Sequence, residues 1–238
     1  MAFEAQNEGI AASIFLALYV VYTFWTLVII YKEGWKTQYT FLFTFAILRV
    51  GGQLCGVVFA KLGWEHWQWL IAYIVLTAEG YFTLVLSSFH FLAKAQVKVY
   101  GKSWIRPTPE QIKEKTEGMT FAQKRHYRMT TPSALFHLLL IPANAILIAG
   151  GSMLSGMSQE EIENDHSKVI TSKALRTVGQ AIFLTQSLFV VFLSIYLYFK
   201  EKLKVATLYL LFLSFPFLIV RGIFGILSIY ITKMNYFQ

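Results

Sequence analysis

Charged residues are scarce in this sequence. Asp, Glu, Lys and Arg make up only 14% of the 238 residues, and 56% are hydrophobic. A soluble domain carries about 25% charged residues. The shortage runs along the whole chain, so it excludes a soluble domain held by one membrane anchor. Apolar segments long enough to cross a bilayer, roughly 20 residues each, occupy most of the sequence.

Cysteine pairs and metal-binding patterns are also lacking. Cys55 is the only cysteine, which excludes an intramolecular disulfide. The five histidines show neither HxxxH nor HxxE spacing, so we predict no metal site and no cofactor. Lysine is missing from the interior of every apolar segment, which excludes a retinal Schiff base. The first residues, MAFEAQNEG, are acidic, and the apolar stretch after them is too long for a cleavable signal peptide.

The apolar segments predict an all-α fold, a polytopic transmembrane helical bundle that forms one domain over residues 1–238. The alternating pattern of barrel strands is absent, and a backbone exposed to lipid must satisfy its own hydrogen bonds, so the spans are expected to be helices. We place six spans at 10–31, 39–62, 67–93, 133–157, 175–199 and 205–232.

Lys and Arg residues are distributed unequally between the two ends of these spans. The side that holds loop 94–132 carries fourteen, and the opposite side carries five. The positive-inside rule therefore predicts that this loop is cytosolic and that the N-terminus faces the lumen or exterior. We expect the endoplasmic reticulum as the resident membrane. The net charge of +8 then indicates contact between loop 94–132 and anionic lipid headgroups, not nucleic acid.

A helix-capping pattern lies inside the basic loop. Thr108 and Gln111 have the spacing of a capping box, with a proline at the first helical position. This predicts a short helix from Pro109 to about Glu117, ended by Gly118. The alternative is a solvated, charged loop without regular structure.

Three charged residues interrupt the apolar spans: Arg49, Glu79 and Arg221. A charge at the bilayer centre costs at least about 2.5–3.5 kcal/mol on insertion scales, so each is expected to have a partner or a wet cavity. The helical rise places Arg49 and Glu79 near the midplane and Arg221 in the outer half. Asn144 and Gln186 fall at similar depth. We therefore expect five spans to direct one polar group each toward a single layer.

Helical periodicity adds residues to this candidate site. Positions three, four, seven or eleven residues apart share a helical face. With Glu79, Arg49 and Arg221 as catalytic candidates, we assign substrate binding to Gln53, Phe82, His90, His137, Asn144, Gln186, Phe217 and Phe224. A structural interpretation remains open, in which an Arg–Glu pair locks two helices and the amides join helices by hydrogen bonds.

Three segments resemble a family of fungal multi-span membrane proteins: LRVGG at 48–52, AEGYF at 78–82 and FLSFPFLIVRGIF at 212–224. That family has an R-x-x-G second span and a P-F-L-x-V-R sixth span. Its fuller members look seven-spanning, so the six spans predicted here depart from its pattern. The same broad group is similar to the membrane-bound terpene cyclases of fungal meroterpenoid pathways that make ascofuranone-like compounds.

The resemblance implies an integral membrane terpene cyclase, an isomerase or lyase in type, acting on a prenylated lipophilic substrate with or without an epoxide. Cyclisation started by protonation needs a neutral carboxylic acid, and Glu79 is the only acid in any span. Two nearby arginines would favour its ionised form unless they bind the polar head of the substrate. The alternative is a non-catalytic protein that binds or translocates a lipid, with Arg49 and Arg221 holding an anionic headgroup.

Overall fold

The fold is all-α. The computed structural model describes residues 6–35, 37–153 and 166–231. Besides a single 3-10 turn at Trp64–His66, the regular elements in these ranges are α1 (Gln6–Glu33), α2 (Tyr39–Leu62), α3 (Gln68–Tyr100), α4 (Pro109–Lys115), α5 (Phe121–Met129), α6 (Pro132–Ser152), α7 (His166–Phe199) and α8 (Ala206–Tyr230).

Six of these helices are long and apolar enough to cross a membrane: α1, α2, α3, α6, α7 and α8. Large apolar side chains cover their outer surfaces; Val21 on α1 is 69% exposed and Leu213 on α8 is 68% exposed. A surface of this kind is stable against lipid, where helices satisfy their own backbone hydrogen bonds. The prediction of a six-span helical bundle is confirmed, and the chain is an integral membrane protein.

Helix α3 lies at the centre of the bundle. It is the most buried of the six long helices and packs against α2, α6, α7 and α8. Its inward side chains join one apolar core with residues of α6 and α7, including Phe89, Leu140 and Phe183. Helix α1 packs against α2. Polar groups on α3 are therefore held among several helices at once.

Glycines allow α6 and α7 to approach closely. A Cβ atom placed on Gly179 of α7 would lie 3.0 Å from the carbonyl oxygen of Ala143 and 2.9 Å from the Cβ of Leu147. A Cβ on Gly150 of α6 would lie 2.9 Å from the Cβ of Leu175. Small residues at such crossings are the common device of membrane helix packing.

Two helices extend past the spans predicted for them. Helix α3 continues to Tyr100, through the first seven residues of the predicted loop, and ends where Gly101 adopts a positive φ of 69°. Helix α7 begins at His166, nine residues before the predicted start. Lysines and hydroxyl residues mark the ends of both predicted spans. They lie on the parts of the two helices that extend beyond the apolar segments, where long charged side chains reach polar surroundings. Residues 154–157 of the fourth predicted span and residue 232 of the sixth lie outside the described residues.

The loop between α3 and α6 is structured. Helix α4 begins with the predicted capping box, because Thr108 accepts from the Gln111 backbone while the Gln111 side chain accepts from the Thr108 backbone. The helix ends at Lys115, two residues earlier than predicted. A second capping box, which the sequence analysis missed, starts α5 at Thr120. We call the end of the bundle that carries α4 and α5 the loop end, and the opposite end the far end.

Candidate functional site

Glu79 and Asn144 meet where α3 crosses α6. The Asn144 Nδ2 donates to the Glu79 Oε1 at 2.6 Å, and both side chains are half-buried. The Asn144 Oδ1 is buried and has no hydrogen-bond partner. The contact therefore fixes one carboxyl oxygen near the middle of two oppositely directed helices.

The same two helices also meet closer to the loop end. The rings of Phe89 and Phe136 stack with their centroids 4.1 Å apart. The next residue on each helix continues the contact, with the imidazole centroids of His90 and His137 5.5 Å apart. From the Glu79–Asn144 contact to the His90–His137 contact, residue numbers rise along α3 and fall along α6, as antiparallel packing requires. We call this shared face, from Glu79 and Asn144 to His90 and His137, the α3–α6 seam.

Phe82 and Gln186 lie beside the seam. The Phe82 ring is 6.3 Å from the ring of Phe183 on α7. The Gln186 side chain is buried, and its Nε2 donates to the Phe136 carbonyl oxygen at 3.3 Å. The Gln186 Oε1 is buried without a hydrogen-bond partner. The seam thus holds four of the predicted site residues, Glu79, His90, His137 and Asn144, and two more, Phe82 and Gln186, lie beside it.

The Arg49 side chain contacts Tyr19 of α1. Its aliphatic stem passes Gly80, where an added Cβ would lie 3.0 Å from the Arg49 Cδ. Its guanidinium carbon lies 5.0 Å from the centre of the Tyr19 ring on α1, and its Nε is buried without a hydrogen-bond partner. Arg49 and Glu79 therefore do not form the ion pair that one interpretation of the sequence predicted. Glu79 instead accepts a hydrogen bond from Asn144.

Gln53 lies one turn from Arg49 and is 4% exposed. The adjacent Gly52 faces α3, where an added Cβ would lie 3.5 Å from the Leu76 Cβ and 3.6 Å from the Thr77 Oγ1. The small, polar face of α2 is thus a helix-packing surface. Gln53 belongs to that surface and lies on a different helix pair from the α3–α6 seam.

Arg221 belongs to a third group of polar contacts, between α3, α7 and α8. Its guanidinium carbon lies 5.8 Å from the centre of the Tyr81 ring. The Tyr81 hydroxyl lies 3.0 Å from the Ser187 Oγ and 3.2 Å from the Leu218 carbonyl oxygen. Arg221 also borders a small cavity of about 40 Å³ toward the far end, together with Arg176. The five polar side chains that were expected to point toward a single layer thus divide among three helix contacts.

Phe217 and Phe224 lie on the outside of α8. Phe217 is 73% exposed and Phe224 is 36% exposed. Helix α8 packs against α7 and α3, which leaves the rest of its surface for lipid. This placement puts Phe217, which was predicted to bind substrate, outside the α3–α6 seam.

The sequence analysis missed a polar network at the loop end. Glu201, in the turn between α7 and α8, accepts from the Gln96 Nε2 at 2.8 Å and from the Trp104 Nε1 at 2.6 Å. The Ser103 Oγ donates to the Gln96 Oε1 at 2.7 Å. A cavity of about 850 Å³ lies beside these residues, bordered also by Tyr127. A single acidic residue inside the basic KEKLK turn was the available signal, and it is equally typical of a solvated charge run.

Fold and site together define an all-α integral membrane protein with a carboxyl–amide pair in the centre of its bundle. Among the described residues, no three His, Cys, Asp or Glu side chains are grouped to hold a metal ion. Comparisons with protein-family models, with curated proteins and with solved structures find no match for this chain.

Proposed function

We propose that this protein is an integral membrane terpene cyclase that closes rings in a prenylated, epoxidised lipophilic substrate. The observation that carries the proposal is the Glu79–Asn144 contact. It holds one oxygen of the only acidic side chain in the interior of the described apolar spans. In this proposal the second oxygen carries the proton that starts the reaction. A positioned acid of this kind contributes about 10²–10⁴-fold to a rate.

The chemistry needs no added reagent. The Glu79 carboxyl gives its proton to the epoxide oxygen, and the C–O bond to the more substituted carbon breaks, leaving a hydroxyl and a carbocation. The π electrons of neighbouring double bonds then form the new C–C bonds. Loss of a proton from carbon to the Glu79 carboxylate ends the sequence and restores the acid. Substrate and product are isomers, so the reaction requires no oxidant or reductant.

One feature of the seam supports this scheme. Aromatic rings of Phe82, Phe183, Phe89 and Phe136 lie along it, and aromatic faces stabilise passing cations.

A membrane orientation belongs to the same proposal. The excess of Lys and Arg at the loop end favours a cytosolic position for α4 and α5 and a lumenal N-terminus. The endoplasmic reticulum of a fungal cell as the resident membrane is part of the proposal and follows from the family resemblance. Helix α5 suits contact with anionic headgroups, because Phe121 is 82% exposed at its start and Lys124, Arg125 and Arg128 follow.

The test is turnover by the purified protein in detergent. With an epoxidised prenyl-arene and no cofactor, the wild type should yield an isomer of equal mass and different retention time. Glu79→Gln should reduce the rate by about 10²-fold or more. The matched control Glu65→Gln changes an exposed carboxylate and should keep full activity. No isomer from well-folded wild type, across prenyl chain lengths, would sink the proposal.

One observation favours the non-catalytic alternative. The Arg49 Nε is buried without a hydrogen-bond partner, as expected where an anionic lipid headgroup completes the site. A lipid-binding or lipid-translocating protein would move a labelled phospholipid between leaflets of a vesicle, or retain it through purification. Arg49→Gln would abolish that property, and no prenyl-arene would be converted.

A further inference from the structure

The cavity of about 850 Å³ at the loop end lies where the spanning helices leave the bilayer. Its wall includes Gln96 near the end of α3, Thr131 at the start of α6, and Glu201 in the turn between α7 and α8. Gln96 is three residues, or about 5 Å, past the end of the apolar span predicted at residue 93. The headgroup layer on each side of a bilayer is roughly 5–7 Å thick. The cavity therefore lies at the depth of lipid headgroups, and its volume is typical of a small-molecule site.

The wall of this cavity carries a fixed carboxylate. The Glu201 Oε2 accepts from the Gln96 Nε2 at 2.8 Å, and the Glu201 Oε1 accepts from the Trp104 Nε1 at 2.6 Å. The Tyr100 hydroxyl donates to the Glu201 backbone carbonyl oxygen, so the turn is held as well. All three donors are neutral. These contacts position a negative charge on the cavity wall without balancing it.

Three aromatic side chains border the same cavity: Tyr100, Trp104 and Tyr127. Aromatic rings around a cation are the common recognition mode for quaternary ammonium ligands, and a carboxylate adds Coulomb attraction. A quaternary ammonium has no N–H group, so it needs no hydrogen-bond acceptor. A primary ammonium has three donors and would compete with Gln96 and Trp104 for the carboxylate oxygens of Glu201. The wall thus favours a quaternary ammonium.

Lysines border the cavity as well, on exposed parts of the loop. Lys102 and Lys115 line it together with Glu114, and lysine is a regular binder of phosphate. With Glu201, the charges of these four lining residues sum to zero. A zwitterion that joins a phosphate to a quaternary ammonium matches this arrangement better than a purely cationic or purely anionic ligand.

We propose that this cavity binds a phosphocholine group, with its trimethylammonium near the rings and Glu201 and its phosphate toward Lys102 and Lys115. The sources of this chemistry are a phosphatidylcholine of the surrounding bilayer and a soluble phosphocholine ester. The site is separate from the proposed catalytic acid, because Gln96 lies seventeen residues, roughly 25 Å, from Glu79 along α3. The proposal holds or fails independently of terpene cyclisation, and Glu79→Gln should leave the binding unchanged.

Competition between lipids with identical acyl chains measures the headgroup preference. The protein is purified in a maltoside detergent and incubated with equimolar phosphatidylcholine, phosphatidylethanolamine and phosphatidylglycerol, and native mass spectrometry compares the adducts. The phosphatidylcholine adduct should exceed each of the others at least about fivefold, the scale of a cation–aromatic contact. Glu201→Gln removes the charge, and Tyr127→Leu removes a ring but keeps the Glu201 contacts, so both should lower the preference. Glu117→Gln, an exposed carboxylate outside the cavity wall, should keep it.

Equal adducts of the three lipids on the wild type overturn the proposal. So does a full preference that survives in folded Glu201→Gln or Tyr127→Leu, and Tyr127→Leu decides alone where the first variant fails to fold. A second arm adds glycerophosphocholine, which has the headgroup without acyl chains. Displacement of the bound lipid supports a site that also takes the soluble ester, and retention of the lipid supports the bilayer as the source.

Discussion

Replacing Glu79 by glutamine should leave the bundle folded, because the amide can take over the existing contact. The carbonyl oxygen of the introduced amide would still accept from the Asn144 Nδ2, which in the wild type donates to Glu79 at 2.6 Å. The new N–H group can donate to the Asn144 Oδ1, a buried acceptor that has no partner in the wild type. We expect the free energy of unfolding to stay within about 0.5 kcal/mol of the wild-type value or to rise, since a surviving hydrogen bond changes little and a newly satisfied acceptor stabilises.

Removing the donor should have the opposite effect. Asn144→Leu leaves the Glu79 carboxyl without its bond, and hydrogen bonds between membrane helices contribute about 0.6 kcal/mol on average and up to about 1.7 kcal/mol. Glu79→Leu removes the acceptor, so the double variant Glu79→Leu with Asn144→Leu should show a coupling energy of about 1 kcal/mol between positions 79 and 144. Between positions 79 and 49 the coupling should be near zero, within about 0.5 kcal/mol.

Reversible unfolding in mixed detergent micelles measures these values for the singles and both doubles. A structural ion pair between Glu79 and Arg49 predicts a different pattern. Glu79→Gln alone would then cost about 3–5 kcal/mol, because a buried charge would be left unpaired, and Arg49→Gln would restore the loss. That result would refute the assignment of Asn144 as the partner of Glu79 and would remove the main support for catalysis by this carboxyl.

Three further changes test other parts of the structure. Gly150→Ala should destabilise the protein by about 1–3 kcal/mol through overpacking, since the added Cβ would lie 2.9 Å from α7. The control Gly151→Ala, where an added Cβ has nothing within 4 Å, should be neutral or slightly stabilising. Equal losses of stability in thermal unfolding would contradict the helix crossing. Tyr81→Phe removes a hydroxyl that lies 3.0 Å from its serine partner and should cost about 0.6–1.7 kcal/mol in the same assay, with no loss indicating that the contact is absent in the membrane. A glycosylation acceptor inserted near Glu161 should be modified and one near Lys113 should not, and the reverse pattern would invert the orientation.

The number and type of the spans could be predicted because both depend on local properties. Each span is an apolar run of sufficient length, and lipid leaves the backbone little choice but a helix. The second span, residues 39–62, agrees at both ends with α2. The C-terminal end of α3 was harder to predict. Lys94 and Lys98 suggested that the span ends before them, but the helix continues past the apolar segment. The Lys94 Nζ in fact lies 5.5 Å from the centre of the Tyr39 ring.

The composition of the site could be predicted only in part. Depth along a span follows from the rise per residue, so Glu79, Asn144 and Arg49 could all be placed near one layer. Depth says nothing about which helices are neighbours, and Arg49 and Asn144 were equally possible partners for Glu79. The choice is made by packing: Gly80 lets the Arg49 stem pass α3 toward α1, while Asn144 faces Glu79 across the seam.

The histidine pair shows what a fixed register adds to a list of residues and what it leaves open. Neither His90 nor His137 has a metal-type neighbour in sequence, and each alone is an ordinary polar residue near a helix end. Once Asn144 contacts Glu79, antiparallel packing puts His90 and His137 toward the same end of the shared face. They lie eleven and seven residues from that contact, a difference of about 6 Å along the helix axes, so the register alone does not place the two rings opposite each other. Arg106 and the Ser133 carbonyl then bond the two imidazoles.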